Sequence, residues 1–85
     1  MTASELLTSI ALSRGWQAVE QSERTGYLGA VDEWQRDGVA VRVFYTSRGG
    51  VRTGWIREGN RDWTRVNGQD KLAKIERYLK TGYLS

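Results

Sequence analysis

Four stretches of the chain, 27–36, 39–47, 51–58 and 61–66, carry apolar residues at alternating positions and are rich in Val, Thr, Trp and Tyr. That period of two is the signature of strands with one buried face. The stretches are separated by Asp37-Gly38, Gly49-Gly50 and Gly59-Asn60, dipeptides that tolerate the positive φ values demanded by two-residue hairpin turns. A shorter, weakly alternating strand pattern covers 16–22.

Outside this block the period changes to that of a helix. Thr2-Ala3-Ser4-Glu5 reads as a capping box, and Leu6, Leu7, Ile10 and Ala11 follow at helical spacing. Arg14 suits the C-terminal end of the dipole and Gly15 a left-handed cap, so a helix is predicted over 3–14. A second helix is predicted after Asn67, the candidate cap, with Asp70 in its first turn. Leu72, Ile75 and Leu79, with Tyr78 beside them, form its apolar stripe. Asp70 with Lys74 and Glu76 with Lys80 are i,i+4 pairs, Gly82 is a C-cap, and Tyr83-Leu84 can fold back on the last turn.

Together these elements predict one α+β domain over 1–85: an N-terminal helix, an antiparallel β-meander of four to five strands, and a C-terminal helix. Each helix has one apolar stripe, so both belong on one face of the sheet. Repeats, low-complexity linkers and prolines are absent.

If all three turns have two residues, the register follows. Glu33 then faces Arg42, Arg57 faces Asp62 and Glu58 faces Arg61, and one row reads Glu33, Arg42, Arg57, Asp62. The core face collects Leu28, Ala30, Trp34, Val41, Val43, Tyr45, Ile56 and Trp63. The second face carries Val31, Phe44 and Trp55 in one row, with Thr46, Thr53 and Thr64 nearby.

Composition narrows the chemistry. With 85 residues the domain hides about 60–65% of its unfolded surface, and nine aromatics supply much of its core. The chain has no Cys and no His, which removes disulfides, thiolate nucleophiles, zinc-type sites and the usual neutral-pH proton shuttle. Asp32 and Glu33 are neighbours on a strand and point to opposite faces, and neither Tyr45 nor Tyr78 has an activating cluster. A non-enzyme without cofactor or metal is expected. No basic segment precedes Glu5-Leu6, and no apolar run approaches the roughly 20 residues that span a bilayer, so no signal peptide, no membrane association and a cytoplasmic location are expected.

The net charge is +3, and the basic bias sits in the middle of the chain, where residues 36–65 carry seven Arg against three acids. On the second sheet face Phe44 and Trp55 lie beside Arg42 and Arg57, an aromatic and guanidinium surface suited to anchoring a protein partner. The alternative is a nucleic-acid binder that stacks bases on the same face, with Arg48, Arg52 and Arg65 on phosphate. A third reading has the face covered by the chain itself, through the Trp16 segment or Tyr83-Leu84. Arg48, Arg52, Arg61 and Arg65 form either a basic rim or an ordinary solvated surface. The edge strands, 16–22 and 61–66, offer a homodimer or strand addition, which Arg61, Asp62 and Arg65 oppose at one edge.

Short, Arg-rich, Cys-free and carrying Trp-laden strands such as Gly54-Trp55-Ile56-Arg57 and Asp62-Trp63-Thr64-Arg65, the chain resembles the small accessory proteins of bacteriophages that infect GC-rich actinobacteria. That resemblance implies a role in binding or inhibiting a host component. It assigns no functional residue.

Overall fold

The computed structural model describes residues 2–19 and 31–82. In chain order they form α1 (Ala3–Ser13), β1 (Gln17–Ala18), β2 (Val31–Arg36), β3 (Val39–Tyr45), β4 (Val51–Glu58), β5 (Thr64–Arg65) and α2 (Lys71–Thr81). The strands make one antiparallel sheet in sequence order, the predicted meander with its fifth strand. Of the strand expected at 16–22, only Gln17–Ala18 pairs, and residues 20–22 lie outside the described residues, as do 27–30 and Tyr83-Leu84.

Both ends of α1 follow from local chemistry. The Thr2 hydroxyl accepts from the Glu5 amide at 3.2 Å, and the Glu5 carboxylate accepts from the Thr2 amide at 3.2 Å, closing the capping box. At the other end Gly15 adopts φ +85°, Trp16 N–H donates to Ala11 O and Gly15 N–H donates to Leu12 O. That pair of bonds is a Schellman motif, which uses carbonyls the helix would otherwise leave unpaired.

The entry to α2 differs from the sequence reading. Asn67 does not cap it; the N-cap is Asp70, in the left-handed region at φ 58° and without a side-chain capping bond. Lysines of the first turn tie the preceding loop to the helix: Lys71 Nζ donates to Gly68 O at 2.9 Å and Lys74 Nζ to Asn67 O at 2.6 Å. With Lys74 so engaged, the Asp70–Lys74 ion pair does not close. The helix ends at Gly82, φ 82°, as its position predicts.

Only the first hairpin has the predicted turn. Asp37 and Gly38 both take positive φ, the I′ pattern, and Arg36 pairs with Val39. At the second hairpin the Gly49-Gly50 turn is replaced by a β-turn over 46–49, in which Gly49 N–H donates to Thr46 O while Thr46 N–H donates to Gly50 O. That odd-length loop would invert every side chain of β4. A bulge between Tyr45↔Val51 and Phe44↔Thr53 takes up one residue, Arg52, and restores the faces, two positions out of the expected register. At the third hairpin Arg61 N–H donates to Glu58 O, one further residue enters the loop, and no bulge compensates. Trp55 therefore pairs with Arg65 and Ile56 with Thr64, one residue from the prediction.

This last shift exchanges the faces of β5. The two-residue turn would have buried Arg65 opposite Gly54 and exposed Val66. In the fold Arg65 is exposed and Val66 is 1% exposed, its amide donating to Gly54 O at 2.8 Å. Burying a Val side chain contributes about 1.5–3 kcal/mol, while an unpaired guanidinium in the core costs several. Trp63, expected in the core, consequently leaves it, and Thr64 leaves the second face.

The core lies on one side of the sheet. Trp34, Val41, Val43, Tyr45 and Ile56 meet Leu7 and Ala11 of α1 and Ile75, Tyr78 and Leu79 of α2. Gly54 permits the approach of α2, since a Cβ there would lie 2.7 Å from Ile75 Cδ1. Trp16 closes one end: its indole N–H donates to Leu79 O at 2.9 Å, and the Arg36 guanidinium sits 4.7 Å from its centroid. Trp16 is thus a core residue and does not cover the second face.

Candidate functional site

The register places three rows of side chains on the face turned away from the helices. The first is Val31, Phe44 and Thr53; the second is Glu33, Arg42, Trp55 and Arg65; the third is Gln17, Gln35, Ala40 and Arg57. Of the predicted charge row, Glu33 with Arg42 stands, Arg42 Nε donating to Glu33 Oε1 at 2.8 Å. The pairings of Arg57 with Asp62 and Glu58 with Arg61 do not form, because the third turn carries its extra residue.

Phe44 and Trp55 do share a face, but they are diagonal neighbours: Trp55 stands opposite Arg42 and Phe44 opposite Thr53. Phe44 is only 9% exposed and forms the floor of the site, not a protruding anchor. Trp55 is half-buried and presents part of its ring.

The residue that sequence reasoning misplaced is Trp63. Continuing the β4–β5 register sets it beside Arg57, whose guanidinium carbon lies 5.0 Å from the indole centroid. Arg42 reaches the same ring from β3, at 4.6 Å. Cation–π contacts of this kind contribute about 0.5–1 kcal/mol at exposed sites. One side chain, Arg42, so links Glu33 on β2 to the ring that follows the loop into β5. The signal was present in Arg65-Val66, since a strand that turns Val66 inward must turn Trp63 outward.

Arg42, Phe44, Trp55 and Trp63 line a depression of about 290 Å³. A second one, about 440 Å³, lies along the third row, where Gln17, Gln35, Ala40 and Arg57 meet the Asp37-Gly38 turn and Arg36. Arg57 and Arg65 are exposed, and among the described residues neither is paired with a carboxylate. The Glu33 side chain is 11% exposed against 35% for Arg42, so the described residues of this face present positive charge.

The other candidate arginines disperse. Arg48 and Arg52 sit at the β3–β4 hairpin end and Arg61 at the opposite end of β4, while Arg65 joins the aromatic face; no basic rim is assembled. Among the described residues the edge strands β1 and β5 pair over two residues each.

A separate polar cluster lies under α1, where Ser4 Oγ donates to Asp32 Oδ2 at 2.6 Å beside the buried Tyr45 hydroxyl. Burial first, and the Asp32 carboxylate second, hold the Tyr45 phenol well above the usual tyrosine range; burial also raises that of Tyr78. Both phenols are kept protonated, the opposite of what a nucleophile needs. Among the described residues no three of Asp, Glu, Cys and His converge, and no helix is long and apolar enough to cross a membrane. Comparison with protein-family models, with curated proteins and with solved structures finds no match, so the reading of this face rests on its own residues.

Proposed function

We propose that the chain is a non-catalytic binding module that docks a protein partner on the sheet face turned away from its helices. The observation that carries this reading is the convergence of two half-buried indoles, Trp55 and Trp63, with Arg42, Arg57 and Arg65 over the Phe44 floor. Trp and Arg are the side chains most enriched where interfaces concentrate their binding energy, and they act best in a partly desolvated depression. In this reading Trp55 is the anchor with Arg42 and Arg57 orienting the partner, while Phe44, expected as a second anchor, lies beneath and Trp63 stands beside Trp55 in its place. A phage accessory protein that engages a host component in the cytoplasm fits this reading.

The test is affinity capture with the wild type and the Trp55→Ala and Trp63→Ala variants. Both substitutions are expected to abolish recovery of the same partner. Equal recovery by all three proteins counts against the face.

One observation favours nucleic acid as a second reading: Arg57 and Arg65 face solvent beside stackable indoles, and among the described residues Arg57 lacks the Asp62 partner expected for it, with Arg48 and Arg52 at the β3–β4 hairpin end. Titration with single- and double-stranded oligonucleotides at two salt concentrations separates the readings. Phosphate contacts give a steep salt dependence, and flat, negligible binding removes nucleic acid.

A further inference from the structure

Resting on the docking face described above, we propose that the partner contributes an extended segment that runs across the strands, neutral and polar over β1 and β2, aromatic and acidic over β4 and β5. The third row, Gln17, Gln35, Ala40 and Arg57, crosses the strands from β1 to β4, and Arg57 carries it on to the Trp63 ring. Five strands at about 4.8 Å spacing give a track of roughly 19 Å, enough for about six extended residues at 3.3 Å each.

The chemistry changes along this track. At the β1–β2 end Gln17 and Gln35 stand directly opposite one another, both exposed, and two side-chain amides supply donors and acceptors that match a peptide backbone. Ala40, in the same row, keeps the middle low. At the β4–β5 end the hollow among Phe44, Trp55 and Trp63 fits one ring, with Arg57 and Arg65 beside it for carboxylates.

The same gradient disfavours the other occupants. A phosphodiester strand following the track from Arg57 would run toward Asp37, whose side chain is 92% exposed at the wall of the polar depression. A second copy of this chain would bring like-charged arginines together. A segment with its acids at one end only meets neither obstacle.

Fluorescence anisotropy with labelled, capped hexapeptides tests this. One pool has three neutral polar residues, then an aromatic, then two acids; a second replaces the acids by their amides; hexathymidylate is the third probe. The acidic pool is expected to bind, and Arg57→Gln to weaken it roughly ten- to hundredfold, the range for a charge-assisted hydrogen bond. Gln35→Leu is expected to weaken it about five- to tenfold. Both positions are at the surface, and circular dichroism checks that the variants fold. No binding by the acidic pool, equal binding by its amide counterpart, or binding of hexathymidylate in its place overturns the proposal. If the captured partner is lost with Trp55→Ala but retained by Arg57→Gln and Gln35→Leu, the docking face survives and the extended segment falls.

Discussion

Tyr45 carries the polar atom most at odds with its surroundings. Its hydroxyl is buried with no partner at hydrogen-bonding geometry among the described residues, and burial together with Asp32 raises its pKa far above the ordinary 10.0. The sign of the consequence is definite. Below pH 10 the phenol is protonated in both folded and unfolded chains and stability is unaffected; above it the unfolded chain loses the proton while the folded one keeps it. Stability therefore falls as pH rises, by about 1.4 kcal/mol per pH unit for one such proton. Tyr78, raised for the same leading reason, adds a fall of the same sign. Tyr45→Phe is expected to leave stability at neutral pH within about 1 kcal/mol, since it removes an unsatisfied group. It should also flatten the alkaline decline, read from urea midpoints above pH 10. An equally steep decline in both proteins would refute this account of Tyr45.

Among the elements, the helices and the first hairpin were legible because their determinants are local. Thr2 with Glu5, Gly15, Gly82 and the Asp37-Gly38 pair each act within a few residues of the place they shape. The other two hairpins were misread where glycine dipeptides were taken to set loop length on their own. At the second, Thr46 draws the turn back, and the Arg52 bulge rescues the inward faces of Gly54 and Ile56. At the third, the choice between Trp63 and Val66 for the core is tertiary: it depends on Gly54 and Ile75 lying where Val66 packs. The register predicts opposite costs for adjacent residues. Val66→Ala should destabilise by about 1.5–3 kcal/mol and Arg65→Ala by no more than about 0.5, in chemical denaturation. The reverse order would mean that β5 is paired the other way round.

For the whole molecule, the sequence indicated a sheet with helices on one side and an aromatic, basic face on the other, and the structure has both. The membership of that face was only half legible: Arg42, Phe44, Trp55 and Arg57 were assigned to it but two residues out of register between β3 and β4, whereas Trp63 and Arg65 enter through the one-residue shift of β5. The shift also changes the electrostatics. By removing Asp62 from Arg57 it leaves two exposed guanidiniums beside the indoles, a stronger attraction for an acidic ligand than a fully paired ladder has.

Arg42 holds the Glu33 carboxylate on β2 and the Trp63 ring just ahead of β5 with one side chain. Since β5 itself contributes only two residues to the sheet, this cross-tie adds to the Val66 packing that seats it. An inner strand, β2, and the β5 edge are thereby mechanically joined, and loosening one slackens the other. In Glu33→Ala, amide exchange at Val66, bonded to Gly54, should quicken about five- to tenfold, while Val41 in the central strand follows global unfolding as before. A ligand that grips Trp63 would run the effect backwards, stiffening a strand it never touches.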